Sequence, residues 1–199
     1  MEILIKITCL VIAIVLHELA HGLAAYGFGD HTAKYAGRLS LNPLRHIDPM
    51  GSIFLPLLLF FTHAPFLIGW AKPVPINFMH LRPQRIGVFF VAFAGPLMNI
   101  FLALITGVFW KMGFLGNDVA NTAIQINVIL AAFNLLPILP LDGGRMITCF
   151  LPQNHKLFRF FDRFGLMIVI GTLMMFSSFI HKIIFVIADT ILGLVNGLL

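Results

Sequence analysis

Long apolar runs separated by short polar segments dominate the chain. The first run, residues 2–28, exceeds the roughly 20 residues that a helix needs to cross a bilayer, and glycines mark its end. Further apolar runs predict helices over about 85–110, 122–139, 164–180 and 183–198. The pattern therefore predicts an all-α polytopic membrane protein with about five transmembrane helices.

Two segments between these runs do not fit a spanning helix. Residues 30–42 are too polar to span, and their short alternation of apolar side chains predicts a small β-hairpin near the membrane interface. Residues 53–68 are apolar but are broken by Pro56 and Pro65, and at about 16 residues they are too short to span. We therefore expect the segment 53–68 to be re-entrant.

The positive charges predict an orientation in the membrane. If residues 53–68 re-enter, ten of the 13 Lys and Arg residues share one face, and only Lys6, Lys111 and Lys182 lie opposite. Cytoplasmic loops of membrane proteins carry an excess of Lys and Arg. We therefore expect the N-terminus outside the cell and the C-terminus in the cytoplasm.

Composition agrees with a single membrane-embedded unit. Of the 199 residues, 59% are hydrophobic and 11% are charged, and the mean hydropathy is +0.97. No polar stretch approaches the roughly 50 residues of a folded domain, so residues 1–199 are predicted to form one domain, with a core over about 2–150 and a C-terminal helical pair over about 164–198. The net charge of +5 comes from basic residues scattered singly, which argues against a nucleic-acid partner.

Three polar side chains interrupt the first apolar run, at His17, Glu18 and His21. Residues i and i+4 of an α-helix lie on one face, so the two imidazoles can point at one ion, as in the HExxH zinc motif. Glu18 lies about 100° further round the helix, where it can reach a water on that ion without being a ligand. Because ionisable groups within a span are costly, their clustering predicts one catalytic zinc ion per chain, with Glu18 as general base.

A catalytic zinc site with two histidines needs a third protein ligand. The chain has a single glutamate besides Glu18, at the extreme N-terminus, and position 27, where a metzincin places its third histidine, is glycine. Asp142, in the sequence PLDGG, is the best candidate because the glycines let the backbone turn and present its carboxylate; the structural alternative is a helix N-cap. Asp48 and His46 are the rivals, and His46 could instead hydrogen-bond the substrate or tie its own loop.

Two asparagines lie within apolar helices. Asn99 follows Gly95 and Pro96, and Asn134 precedes Asp142 by eight residues. Each amide could hydrogen-bond a neighbouring helix, or it could bind the backbone of an extended substrate peptide. The nearness of Asn134 to the presumed metal ligand favours substrate binding there, whereas the two readings are evenly balanced at Asn99.

Together these motifs resemble the site-2 protease family of intramembrane zinc metalloproteases. The resemblance is carried, in order, by HELAH, NPLRHIDPMG, GWAKPVPIN, AGPLMN and NLLPILPLDGG, and it covers most of the chain. The loop motifs look like the small bacterial branch that lacks PDZ and CBS domains. The resemblance implies that His17, His21 and Asp142 bind zinc, that Glu18 is the catalytic base and that Asn134 helps to hold the substrate.

The resemblance also implies a function in regulated intramembrane proteolysis. We expect a zinc endopeptidase of the bacterial inner membrane that cleaves in or near transmembrane segments of membrane-protein substrates, with its active site within the bilayer toward the cytoplasmic side. A substrate helix must unwind first, because its carbonyls are otherwise hydrogen-bonded. The alternatives are a catalytically silent zinc-binding scaffold and a zinc transporter, which would need more polar residues along its spans. No feature of the sequence specifies an oligomeric state.

Overall fold

The computed structural model describes residues 1–54, 57–58, 61–62, 69–150, 156–175 and 177–198. In chain order the α-helices are α1 (Glu2–Gly27), α2 (Thr32–Tyr35), α3 (Gln84–Lys111), α4 (Asn117–Asn134), α5 (Asp142–Ile147), α6 (Lys156–Met175) and α7 (Ser177–Leu198). Shorter 3₁₀ or π turns lie at Pro43–His46, Pro49–Phe54 and Thr148–Phe150.

Helices α1 and α3 follow the two longest apolar runs and end at glycine turns. The amides of Phe28 and Gly29 donate to carbonyls of the last turn of α1, and Gly29 has a φ of +96°, the left-handed conformation that commonly ends helices. Gly113, with a φ of +79°, lies just beyond α3. Both helices match their predicted bounds to within one residue.

Helix α3 is the central element of the helix packing. It lies against α1 on one side and α4 on the other, and α7 packs on α4. Small buried side chains line these contacts and let the backbones approach closely. They include Ala13, Ala20 and Ala25 in α1, Ala92, Gly95 and Ala103 in α3, and Ala131 and Ala132 in α4. The central turns of α3 therefore face α1 and α4 at close range.

The prediction of about five transmembrane helices is wrong. Within the described residues, two helices are long and apolar enough to cross a membrane, namely α1 and α3. Helix α4 begins at Asn117, earlier than predicted, and its first turns contain Asp118, Asn121 and Gln125, which lower its mean hydropathy. The apolar part of α6 is the short stretch Arg163–Thr172. The predicted orientation was counted on five spans, and it stays a prediction.

The predicted β-hairpin over residues 30–42 is also wrong, because the part of the chain that is described contains no strand. The backbone amide and hydroxyl of Thr32 both donate to Oδ1 of Asp30, and this local hydrogen bonding starts the short helix α2. Gly37, with a φ of +63°, then turns the chain. The predicted re-entrant segment 53–68 falls largely outside the described residues, and the single-domain organisation stays a prediction.

Candidate metal centre and active site

His17 and His21 lie one turn apart on the buried face of α1. The two residues are 8% and 7% exposed, and their rings meet edge to face with centroids 4.6 Å apart. The two Nε2 atoms are separated by 3.0 Å. This is the arrangement that the i, i+4 spacing predicts for two ligands of one ion.

Asp142 reaches the same point from the start of α5. The turn before it contains Pro137 and Pro140, and α5 packs so tightly on this turn that a Cβ on Gly144 would lie 2.5 Å from the backbone nitrogen of Leu139. Only glycine permits such an approach. As a result, Oδ2 of Asp142 lies 3.3 Å from Nε2 of each histidine.

The three ligand atoms have the spacing that zinc requires. Zinc–nitrogen and zinc–oxygen bonds of about 2.0–2.1 Å in a tetrahedron place ligand atoms about 3.3 Å apart. The observed edges of the triangle are 3.0, 3.3 and 3.3 Å. Among the described residues, the side chains of His17, His21 and Asp142 form a group that could hold a metal ion. The donor set therefore fits zinc without rearrangement.

The protons on the ring nitrogens point away from the centre. Nδ1 of His21 lies 2.7 Å from the carbonyl oxygen of Val91, which can only accept, so Nδ1 carries the proton and the neutral ring presents a lone pair at Nε2. Nδ1 of His17 likewise contacts Oδ1 of Asn99 at 2.6 Å. Oδ2 of Asp142 is buried, and none of the described residues donates a hydrogen bond to it. Three lone-pair atoms thus converge on a point where a cation stabilises all of them.

The electrostatics of Asp142, which lies outside both long apolar helices, also require a positive charge at this point. Burial raises the pKa of its carboxyl group, but positive charge on the adjacent imidazoles when they are protonated, that of His21 above all, outweighs burial and lowers the pKa to about 2. A bound metal ion would supply the same positive charge while leaving both Nδ1 protons in place.

Comparisons with known proteins agree with this centre. Residues 111–176 match the family model described as Peptidase family M50, and they include Asn134 and Asp142. A Bacillus subtilis protein named "Putative zinc metalloprotease YwhC" is 38% identical over 160 residues, which cover 74% of this chain and 69% of that protein. The chain belongs to peptidase family M50. This is the site-2 protease family that the sequence motifs resemble.

Further M50 relatives are more distant. "Putative zinc metalloprotease Rip2" of Mycolicibacterium smegmatis is 31% identical over 169 residues, covering 78% of this chain and 61% of that protein. "Zinc metalloprotease MJ0392" of Methanocaldococcus jannaschii is 25% identical over 149 residues, covering 73% of this chain and 34% of that protein. No solved structure matches the chain. The family and these names support a zinc metalloprotease.

Gly95 leaves space beside the two imidazoles of the candidate metal centre. A Cβ at this position in α3 would lie 2.6 Å from Nε2 of His17 and closer still to Nε2 of His21. Real Cβ atoms do not tolerate such distances, so any larger residue would displace the imidazoles or fill the ion's position. The glycine of the AGPLMN motif is therefore part of the site, although it contributes no ligand.

Glu18, the predicted base, is held by a segment distant in sequence. Its Oε2 accepts a hydrogen bond of 2.7 Å from the backbone amide of Val74. Val74 belongs to residues 70–77, here called the proline strap, in which Pro73 and Pro75 prevent a helix. The strap itself is anchored at both ends: the amide of Lys72 donates to the carbonyl of His46, and the amide of Asn77 donates to Asp30.

The other residues singled out from the sequence lie around this centre in different settings. Asn134 ends α4, is half-buried, and donates from Nδ2 to the carbonyl of Leu130 at 3.0 Å. Oδ1 of Asp48 accepts from the amides of Met50 and Gly51, so this rival for the third ligand caps a turn instead. The substrate-binding role of Asn134 stays a prediction.

His46 and Asn99 are both buried. Nε2 of His46 contacts the carbonyl oxygen of Ser40 at 2.8 Å, which is the loop-tying contact among the three roles considered. Asn99 is fully buried, and its carboxamide contacts His17 and Asn127, so it faces the helix packing. Substrate binding by Asn99 and an accessory catalytic role for His46 stay predictions. Sequence reasoning missed Asn127, although a polar residue in the same apolar helix as Asn134 was a signal.

Proposed function

We propose that this M50 protein is a zinc-dependent endopeptidase that hydrolyses peptide bonds in or near transmembrane segments of membrane proteins. The observation that carries the proposal is the convergence of three lone-pair ligand atoms, 3.0–3.3 Å apart, beside Glu18, which shares α1 with two of the three ligands. A structural zinc site would use a fourth protein ligand, whereas a three-ligand set leaves a coordination position for reactants.

His17, His21 and Asp142 would hold the ion. When bound, zinc supplies Lewis acidity, which polarises a carbonyl oxygen and makes water more acidic. The burial of His17 and His21, with Asp142 half-buried, limits bulk solvent on their side of the site and strengthens the electrostatic interactions there.

Glu18 moves the proton. Its position next to His17 on α1 places a carboxylate beside the ligand set without making it a ligand, and the Val74 amide fixes Oε2 in one orientation. Oε1 is the oxygen that we assign to take a proton from the attacking water and return it to the leaving amine. The proline strap therefore orients the base through a backbone contact.

The substrate must present an extended segment at this site. A transmembrane helix hides its carbonyls in intrahelical hydrogen bonds, so local unwinding precedes cleavage. The half-buried carboxamide of Asn134 lies eight residues before Asp142, at the end of α4, and we assign it a hydrogen bond to the unwound backbone. Two apolar helices, α1 and α3, support a location in the lipid bilayer, and we place the protein in the bacterial cell membrane.

Cleavage of a panel of labelled single-span substrates by the full chain in liposomes tests the proposal, with zinc counted in every variant. Glu18→Gln should bind zinc and cut nothing, because the base is lost while the ligands remain. Asp142→Asn should lose zinc. Glu2→Gln, on the exposed start of the same helix, is the matched control and should cut like the wild type.

The same experiment separates a protease from a silent scaffold. If the wild type binds zinc but cuts no substrate, and Glu18→Gln behaves like the wild type in cells, the protease proposal fails and the scaffold is favoured. If Asp142→Asn retains a full complement of zinc, the assignment of the third ligand fails independently of activity.

A further inference from the structure

A chain of buried amides lies directly behind one metal ligand. Oδ1 of Asn99 is 2.6 Å from Nδ1 of His17, and Nδ2 of Asn99 is 2.9 Å from Oδ1 of Asn127. Nδ2 of Asn127 in turn donates to the carbonyl oxygen of Ala123 at 2.9 Å. Asn99 is 0% exposed and Asn127 is 4% exposed, and the chain links α1, α3 and α4.

The carbonyl of Ala123 is the last group in this series of hydrogen bonds, and it determines the direction of each bond in the series. The carbonyl of Ala123 can only accept, so the contacting atom of Asn127 must be its NH2 group, and its Oδ1 is left to accept from Asn99. The carbonyl of Ala13, 3.5 Å from Nδ2 of Asn99, requires the same orientation of that amide. Oδ1 of Asn99 therefore faces His17, whose Nδ1 must carry the proton.

This direction selects one tautomer of His17. With the proton on Nδ1, the lone pair lies on Nε2, which is the atom facing Asp142 and His21. His21 reaches the same state through the backbone carbonyl of Val91, which no side-chain substitution removes. The two ligands thus differ: one is oriented by the backbone, and the other depends on two side chains.

We propose that Asn99 and Asn127 form a positioning relay that holds His17 in the tautomer and ring orientation that bind zinc. The inference deepens the proposed function, on which it rests for the identity of the ion. Hydrogen bonds to the second nitrogen of a ligating histidine typically change metal affinity about 10- to 100-fold when they are removed. Asn127 acts through Asn99, because its contact with the metal ligand is indirect.

The test is the zinc affinity of the full chain in detergent, measured by competition with a chelator and compared across variants. Asn99→Leu removes the acceptor and should weaken zinc binding about 10- to 100-fold. Asn127→Ala leaves Asn99 free to rotate and should weaken it in the same direction by a smaller factor. Asn121→Ala, an exposed position on the same helix, is the matched control and should bind like the wild type.

Two further variants distinguish positioning from a purely structural role. The double variant Asn99→Leu/Asn127→Ala should bind zinc no more weakly than Asn99→Leu, because Asn127 has nothing left to position. Asn99→Asp loses the donor to Asn127, but either oxygen of its carboxylate can accept from His17 whichever way the group rotates, so it should retain zinc affinity while its thermal midpoint falls. Additive losses in the double variant, or zinc affinity that follows the thermal midpoint in Asn99→Asp, would overturn the relay.

The outcomes also separate this inference from the protease proposal. The affinity pattern requires no substrate, so it can hold in a protein that cuts nothing; in that case the relay stands and the proposed function fails. If both Asn99→Leu and Asn127→Ala bind zinc with wild-type affinity, the relay is contradicted even if proteolysis is observed. If Asn99→Leu does not fold, the zinc affinity of Asn127→Ala compared with that of Asn121→Ala decides the same question.

Discussion

The backbone amide of Val74 donates a 2.7 Å hydrogen bond to the side chain of Glu18, across 56 residues of sequence. The contact joins the proline strap to the middle of α1, next to His17. Val74 is buried, and its side chain packs near Gly22, where an added Cβ would lie 3.1 Å from Cγ1 of Val74. The backbone amide of Val74 therefore orients Glu18, and the position of this amide depends on the path of the proline strap.

Replacing Val74 by proline removes the amide hydrogen while the strap keeps an extended course, since a residue before Pro75 already avoids the helical region. Loss of a hydrogen bond to a charged group costs about 1.5–3 kcal/mol, so the turnover number should fall about 10- to 100-fold. Val74→Ala keeps the amide and is the control. Cleavage rates with zinc content measured alongside check this, and equal rates for the two variants would contradict it.

Gly95→Ala should abolish zinc binding while α3 remains helical. Its Cβ would lie 2.6 Å from Nε2 of His17, where the ion and the imidazoles require the space. Gly27→Ala is the control, because no atom of the described part of the chain lies within 4 Å of a Cβ there. Metal analysis and circular dichroism of both variants provide the measurement. A zinc-loaded Gly95→Ala protein would show that the space above the histidines is not needed.

Zinc should stabilise the fold through Asp142. An ion present at 100 times its dissociation constant adds about 2.7 kcal/mol, which corresponds to a rise of roughly 5–10 °C in the thermal midpoint for a chain of this size. A chelator should remove this rise in the wild type and change little in Asp142→Asn. Asp48→Asn should keep the full zinc-dependent shift, because Asp48 caps a turn. Loss of the shift in Asp48→Asn would instead identify Asp48 as a ligand.

Asp30 should make stability depend on pH. Burial raises the pKa of its carboxyl group, but hydrogen bonds from Thr32, from the amide of Asn77 and from His80 outweigh burial and hold the pKa below its usual value. Because the folded pKa is the lower one, this stabilisation is complete above the unfolded pKa of about 3.9 and is lost as the pH falls through the folded pKa.

Asp30→Asn should therefore destabilise the protein at neutral pH by about 1–3 kcal/mol, since its NH2 group would face a buried backbone donor. The difference from the wild type should shrink as the pH is lowered through the acidic range. Thermal unfolding at a series of pH values measures it, with the exposed Asp118→Asn as control. A difference that does not change with pH would show that the ionised carboxylate contributes nothing.

The pattern of apolar positions could predict the long helices but not the number of spans or the local structure of residues 30–42. The apolar run over about 122–139 predicted a span, but α4 begins earlier, at Asn117, and the polar residues that this start brings into the helix lower its mean hydropathy. A short alternation of apolar residues is also compatible with the helical turn at Thr32–Tyr35, which depends on the hydrogen bonds of Asp30.

The sequence by itself predicted the metal ligands and the base, because HELAH places two histidines on one helical face and Asp142, the best of three candidates for the third ligand, is the one that the family resemblance implies. The spacing of the two histidines follows from the helical repeat, which is a local property of the sequence. The need for a third ligand follows from the general chemistry of zinc. The tertiary structure alone decided the roles of Val74, Gly95 and Asn127. Their contacts with α1 or with its partner Asn99 depend on how separate helices and the proline strap pack together, and no local pattern encodes that packing.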